Sequence, residues 1–168
     1  MQINFDKVNS FKEAMANYPT GVTVVTAIDE EDAPIGLTVN SFASVSLDPL
    51  LILWSIDKRV STYEAFKKVD KFAVNILADN QAEIASLFAS RTSNQDRFVN
   101  CDWDLSKYKL PIIKGTMATL QCKTFKQIEA GDHTILIGEI SEITVEKKRP
   151  LVYHGRKMEA LPENFHEN

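Results

Sequence analysis

The alternation of apolar and polar positions predicts a chain of short strands with a few short helices between them. Apolar residues recur at helical spacing from Phe11 to Tyr18. Ser10 and Glu13 form a Ser-x-x-Glu capping box, so this helix is expected to begin at Ser10. Runs dense in β-branched and apolar residues then predict strands at residues 22–28, 35–47, 50–56, 72–77, 115–128, 133–145 and 151–154.

Two further helices are predicted from capping motifs. Ser61 and Glu64 repeat the capping box and are expected to open a short helix between two core strands. Asn80 and Glu83 supply a third cap, and the helix that follows is expected to end near Ala89.

The order of these elements favours a mainly β fold. At least six strand signals lie next to one another in sequence, and only three short helices are predicted, so an antiparallel barrel or sandwich is expected rather than a βαβ sheet. Residues 129–132 (EAGD) predict a hairpin turn between two long strands. Residues 90–114 are mostly polar and predict a long surface excursion, a kind of segment that is usually functional or interface-forming.

Composition narrows the possible functions. The 168 residues, 44% hydrophobic and 25% charged, suit a single globular domain over 1–168. The net charge of −4, with scattered Lys and Arg, argues against nucleic-acid binding. The polar N-terminus and the lack of a long apolar run predict a cytoplasmic protein without a membrane segment. Two cysteines without a CxxC motif indicate neither a disulfide framework nor a metal site.

Small polar side chains between apolar runs mark the first candidate site. Residues 38–46 (TVNSFASVS) could hydrogen-bond the carbonyl and nitrogen edge of a planar heterocycle, together with exposed backbone groups. The competing interpretation is a half-exposed strand with an ordinary polar face. The Gly-x-Gly-x-x-Gly fingerprint and the Walker loop are both absent from the sequence, so a dinucleotide would have to bind without them.

A second candidate site is an anion-binding segment at residues 55–62 (SIDKRVST). Cations, hydroxyls and the start of a helix meet there, which suits a phosphate. The alternative is that Ser61 caps the helix while Lys58 and Arg59 are solvated. Arg91 could add a further cation to the same anion, although a lone loop arginine is usually solvated.

His133, in Gly131-Asp132-His133, could act on a substrate or a reduced cofactor, although a solvated turn histidine is more common. No Ser/His/Asp order, paired-carboxylate pattern or His-x-x-x-His spacing stands out, so hydrolase and metalloenzyme functions have little support.

Five ordered blocks resemble the flavin reductase-like family of FMN-binding split barrels, in particular the reductase components of two-component flavin-dependent monooxygenases. The blocks are YPTGVTVVTA (18–27), GLTVNSFASVSLDPLLI (36–52), FAVNILADNQAEIASLFAS (72–90), GDHTILIGEI (131–140) and PLVYHGRKM (150–158). The resemblance implies a homodimeric, Greek-key-like antiparallel split β-barrel with short flanking helices.

The resemblance also implies roles for particular residues. Thr38, Val39, Asn40 and Ser41 would line the isoalloxazine ring of FMN or FAD, and His133 would lie where the nicotinamide of NADH or NADPH approaches. The flavin phosphate would meet the segment 55–62, helped by Arg91, and further cofactor-binding residues are expected at the end of the third helix. The cofactor-binding residues expected in these two segments are Ser55, Asp57, Lys58, Ser61, Thr62, Phe88, Ala89 and Arg91.

The activity implied by the resemblance is hydride transfer from nicotinamide to flavin, for which positioning is the main catalytic requirement. The reduced flavin would be supplied to a separate oxygenase component. One alternative is a flavoredoxin-like electron carrier that keeps its flavin and does not turn over NADH. A second is a barrel of the pyridoxamine-phosphate-oxidase or haem-associated kind, which the blocks around residues 40–42 and 131–133 disfavour.

Overall fold

The computed structural model describes residues 5–165, and most of their regular structure is strand. None of the helices in this part of the chain is long and apolar enough to cross a membrane. The helices are α1 (Phe5–Ala16), α2 (Tyr63–Lys68), α3 (Ala82–Ala89) and α4 (Asn94–Val99), with a 3-10 turn at Glu163–Phe165. The strands are β1 (Thr20–Gly21), β2 (Thr23–Ile28), β3 (Pro34–Val39), β4 (Ala43–Leu47), β5 (Leu50–Asp57), β6 (Lys71–Ile76), β7 (Trp103–Leu105), β8 (Pro111–Ile113), β9 (Ala118–Ala130), β10 (His133–Val145), β11 (Leu151–His154) and β12 (Lys157–Ala160).

Seven strands form one antiparallel sheet in the order β3-β2-β6-β9-β10-β5-β4, which confirms the predicted mainly β class. The sheet curls on itself, because Ser41, just beyond the edge strand β3, hydrogen-bonds to Ser55 on β5 near the other edge. Inside the curl, Trp54 packs edge-on against Phe66 and Phe72. Each of these fully buried rings contributes about 1.5–3 kcal/mol through the hydrophobic effect.

A second apolar cluster lies between the β3 edge of the sheet and helices α3 and α4. Phe98 packs edge-on against Phe88 and Trp103, with ring centroids 5.1 and 5.3 Å away. Gly36 on β3 faces these rings, and a Cβ at this position would lie 2.5 Å from a carbon of the Phe88 ring. The missing side chain at Gly36 therefore allows α3 to pack closely on the edge of the sheet.

Residues 90–114 lie mostly at the surface, as the sequence predicts, but they also contain regular elements that were not expected. They contain α4, β7 and β8, and Ile113 is buried. The amide of Asn75 accepts from the Ile113 N–H at 3.0 Å and donates to the Thr26 hydroxyl at 3.0 Å, and that hydroxyl donates to the Pro111 carbonyl. The sequence analysis missed these elements because a few widely spaced apolar residues and a buried polar network anchor a segment that is otherwise polar.

Helix α1 begins earlier than its predicted cap. Because the helix already includes Phe5, Ser10 lies in its interior, and the Ser10 hydroxyl donates to the Asp6 carbonyl at 2.9 Å. A serine that bonds four residues back satisfies its own hydroxyl and caps nothing. The capping box at Ser10 and Glu13 was wrong, and Glu13 pairs instead with Arg156 at 3.0 Å.

Helices α2 and α3 begin slightly beyond their predicted caps. Thr62, rather than Ser61, is the N-cap residue of α2, and its side chain makes no capping hydrogen bond. Gln81, rather than Asn80, is the N-cap residue of α3. The Gln81 side-chain oxygen accepts from the Ala78 N–H at 3.0 Å, so this amide braces the preceding loop instead of the helix start.

A small sheet in the order β1-β11-β12 lies beside the main sheet, and its strand β12 was not predicted. In the β11–β12 hairpin, Tyr153 lies opposite Met158 and Val152 lies opposite Glu159. Because side chains alternate across a strand, these two pairs face opposite sides of the hairpin. Tyr153 and Met158 therefore share one face of this two-stranded hairpin.

Candidate functional site

The outer edge of β3 carries backbone groups that point away from the sheet. The Gly36 N–H donates to Asn94 Oδ1 at 3.3 Å, and the Gly36 carbonyl accepts from the Arg97 guanidinium at 2.8 Å. Both groups therefore face outward from β2, the strand that pairs with β3. Backbone groups of alternate residues point to the same side of a strand, so those of Thr38 also face outward.

This edge borders a half-open cavity of about 260 Å³, named here the edge cavity. It combines the polar edge of a strand with apolar walls, a combination suited to a planar heterocycle. Four of the predicted cofactor-binding residues contribute to it. The lining residues are Val22, Thr38, Val39, Asn40, Ala89, Tyr153 and Met158.

Two of the predicted side chains at this site are already committed to the protein itself. The Thr38 hydroxyl donates to the Ala85 carbonyl at 2.7 Å, which ties β3 to α3. The Ser41 hydroxyl donates to the Ser55 carbonyl and accepts from the Ser55 N–H, both at 3.0 Å. These hydroxyls therefore hold the walls of the site together, and the outward backbone of β3 is the group that can meet a ligand.

The predicted anion-binding segment lies at a cluster of five charged or titratable side chains, named here the turn cluster, made of Asp57, Lys58, Arg59, Glu129 and His133. Lys58 Nζ lies 2.5 Å from the Glu129 carboxylate. Arg59 Nε donates to Asp57 Oδ1 at 2.9 Å. Asp57 lies opposite His133 where β5 pairs with β10. The structure thus brings His133, expected at the nicotinamide, next to Asp57 and Lys58, expected at the flavin phosphate.

The ion pairs of the turn cluster change the acidity of its members. Hydrogen bonds from Arg59 hold the pKa of the Asp57 carboxyl well below its ordinary value. The hydrogen bond between Lys58 and Glu129 raises the pKa of the lysine and lowers the pKa of the carboxyl. Because the side chains of Lys58 and Glu129 are 34% and 61% exposed, water screens their attraction. An arriving anion can therefore compete with Glu129 for Lys58.

His133 is the first residue of β10, at the end of the turn rather than within it. Its Nδ1 lies 2.7 Å from the Asp132 carboxylate, and the side chain is 41% exposed. Asp132 therefore restrains the ring while leaving part of it open to a ligand.

The other predicted residues differ in how they can take part. Ser61 and Arg91 are exposed. Thr62 is buried, and its hydroxyl has no hydrogen-bond partner among the residues described. The Phe88 ring is fully buried in the second apolar cluster, so only the backbone of this residue can reach a ligand, whereas its neighbour Ala89 lines the edge cavity.

Comparison with protein families identifies the family of this chain. The model of the flavin reductase-like domain matches residues 15–162. The chain belongs to the flavin reductase-like domain family. This match includes the edge cavity and the whole turn cluster, and it confirms the resemblance seen in the five sequence blocks.

Several named relatives lie within the flavin reductase-like family. The chain is 43% identical over 139 residues to the reductase component of the flavin-dependent trigonelline monooxygenase of Acinetobacter baylyi, covering 83% of this chain and 44% of that protein. It is 42% identical over 146 residues to the FMN reductase (NADH) SmoA of Agrobacterium fabrum, covering 87% of this chain and 82% of that protein. The chain therefore spans less than half of one relative and most of the other.

A solved structure of the same family has a closely similar fold. The NADH:FAD oxidoreductase SgcE6 of Streptomyces globisporus, in complex with NAD and FAD fragments, superposes with a TM-score of 0.87 at 30% identity. The superposition covers 96% of this chain and 97% of that chain.

The sequence analysis missed several residues at the site of this flavin reductase-like chain, among them Tyr153, Met158 and Arg97. Tyr153 and Met158 line the edge cavity from the β11–β12 hairpin, which the Gly155 turn between them could have revealed. Arg97 is buried and binds the backbone beside the cavity. Nothing in the sequence pattern distinguishes Arg97 from an ordinary surface arginine, because its burial depends on tertiary packing.

Proposed function

We propose that this chain is an oxidoreductase that transfers hydride from NADH or NADPH to FMN or FAD. The observation that carries the proposal is the 42% identity to a relative named FMN reductase (NADH), across 82% of that relative's length. A bound flavin supplies the hydride acceptor. The task of the protein is then to position two rings and to exclude competing reactions, which needs no strong acid or base.

The edge cavity suits the ring of a flavin. The outward backbone of β3 at Thr38 offers a donor and an acceptor to the polar edge of the ring, and Asn40 follows directly. Val22 and Met158 provide apolar walls for the rest of the ring. Donors near the carbonyl edge also stabilise the negative charge that a flavin gains on reduction.

The turn cluster suits the flavin phosphate. Lys58 of the cluster supplies a cation, and the nearby Ser61 supplies a hydroxyl. The buried hydroxyl of Thr62, which has no partner in the part of the chain that the structure describes, lies next in the chain. A phosphate would take the place of the Glu129 carboxylate on Lys58. Charge-assisted hydrogen bonds of this kind contribute about 1.5–3 kcal/mol each.

His133 is proposed to meet the nicotinamide. It lies at the start of β10, opposite Asp57, and its ring is partly exposed. It lies beside the proposed phosphate site, and the exposed part of the imidazole ring can contact a second ligand. We assign it an orienting role, because hydride passes directly between the two rings.

A homodimer is proposed because the edge cavity is small for a flavin. Ligand sites for drug-sized molecules measure about 300–1,000 Å³, and the edge cavity measures about 260 Å³. A second copy would complete the site and cover apolar side chains that a single chain exposes, such as Leu47 (87%) and Val145 (71%). One domain over residues 1–168 and a cytoplasmic location remain predictions from the sequence.

A separate oxygenase is proposed as the recipient of the reduced flavin. Relatives of this chain are named reductase components or subunits of monooxygenases. A partly open site whose lysine already has an internal counter-ion favours release of the flavin over permanent retention. The flavin then acts as a substrate as well as a cofactor.

The test is to mix the purified protein with NADH or NADPH under air, with and without FMN or FAD. We expect nicotinamide oxidation that requires flavin. An electron carrier of the flavoredoxin type would bind flavin but leave NADH unchanged. The absence of both flavin quenching and flavin-dependent NADH loss would refute the proposed function.

A further inference from the structure

A buried arginine next to the edge cavity has only neutral hydrogen-bond partners among residues 5–165. Arg97 is 5% exposed. Its guanidinium donates to the Gly36 carbonyl at 2.8 Å, to Asn94 Oδ1 at 3.3 Å and to the Ser90 carbonyl. Burying a charge without an opposite charge is costly unless its hydrogen bonds are well placed. This arrangement therefore needs a reason beyond packing.

The partners of Arg97 belong to two different walls of the edge cavity. Gly36 precedes Thr38 by two residues, and the backbone groups of both face the same outer edge of β3. Ser90 directly follows Ala89, which lines the cavity at the end of α3. One guanidinium thus connects the strand that forms the polar edge of the cavity to the helix end that faces it.

We propose that Arg97 is a positioning residue that sets the separation between the β3 edge and the end of α3, and therefore the width of the edge cavity. It touches no cavity-lining side chain through the hydrogen bonds described and acts through the two backbone carbonyls. The identity of the ligand in this inference rests on the proposed function. The positioning role of Arg97 itself rests on the hydrogen bonds alone.

The chemistry of arginine explains the choice of residue. A guanidinium is a rigid planar fork that donates in several fixed directions, so a single side chain reaches both carbonyls. Its positive charge also lies at the C-terminus of α3, where the last carbonyl groups are partially negative. A lysine keeps the charge but cannot reproduce the fixed spacing between two acceptors.

The experiment compares Arg97→Gln and Arg97→Lys with the wild type and with Val74→Ala, a control in the other apolar cluster. Amide hydrogen exchange is measured without ligand at Gly36 and Ser90, and FMN affinity is measured by fluorescence quenching well below each unfolding temperature. We expect faster exchange at both amides in Arg97→Gln and FMN binding weaker by about tenfold or more. Arg97→Lys should lie between this variant and the wild type.

Two results would overturn the proposal. One is exchange at both amides equal to that of Val74→Ala, and the other is FMN affinity within about twofold of that control. If the wild type binds no flavin, the proposed function fails, but the comparison of amide exchange still decides whether Arg97 holds β3 and the end of α3 together. If Arg97→Gln does not fold, Arg97→Lys supports both measurements.

Discussion

Replacing Gly36 by alanine tests the close approach between β3 and α3. The new Cβ would lie 2.5 and 2.7 Å from two carbons of the Phe88 ring and 3.3 Å from the Phe98 ring. Carbon atoms prefer separations of about 3.5–4.0 Å, so the methyl group must push the ring away by about 1 Å. Phe88 is fully buried and packed against Phe98, so the ring has little room to move. We expect a loss of about 1–3 kcal/mol in the free energy of unfolding, as for other overpacked cores.

Gly21→Ala is the matched control, because apart from Gly21 and its two chain neighbours no described residue has an atom within 4 Å of a Cβ at this position. The same glycine-to-alanine change in the unfolded chain affects both variants, so their difference isolates the clash. Urea unfolding followed by tryptophan fluorescence measures both free energies. Gly36→Ala should also weaken flavin binding, because displacing α3 moves Ala89, which lines the edge cavity. Equal stabilities of the two variants, within about 0.5 kcal/mol, would refute the packing argument.

Three further predictions concern the turn cluster. Glu129→Gln should tighten FMN binding by freeing Lys58, whereas riboflavin, which lacks the phosphate, should bind unchanged; equal effects on both in a quenching titration would exclude a phosphate at Lys58. His133→Ala should raise the KM for NADH or slow hydride transfer while leaving flavin affinity near that of the wild type. Unaltered NADH kinetics would show that His133 is only a solvated side chain. Arg59 lowers the pKa of Asp57, so in acid the unfolded chain binds more protons than the folded chain. The free energy of unfolding should therefore fall more steeply below about pH 4 in the wild type than in Asp57→Asn, and urea midpoints measured across pH would report the difference.

The sequence predicted the sheet well because strand signals are local. The β-branched run at 22–28 became β2, which is buried along almost its whole length. The run at 133–145 became β10, whose first half shows the burial period of two that a pleated strand gives. Helix starts were predicted poorly because a cap depends on one hydrogen bond. Gln81 shows the reason, since its side chain bonds to the Ala78 N–H in a preceding loop and not to the helix.

The sequence predicted which segments form the candidate site, but not which of their groups are already engaged within the protein. Thr38 and Asn40, which the sequence blocks imply would line the flavin ring, both line the edge cavity. The Thr38 hydroxyl, however, is used inside the protein, so the backbone of the strand carries the polar groups. Lys58 is engaged by Glu129, which lies 71 residues further along the chain, and no local pattern could reveal a partner at that distance.

The hydrogen bond between Thr26 and Pro111 has a consequence for the order of assembly on the ribosome. These residues are 85 positions apart, and the bond anchors the segment 90–114 against β2. At about 5–20 residues per second, synthesis needs several seconds to reach Pro111 after Thr26 has been added. During that interval the hydroxyl of Thr26 lacks its final acceptor, and the neighbouring apolar surface lacks its cover. Nascent chains that stop before residue 111 should therefore keep this apolar surface exposed and bind chaperones through it.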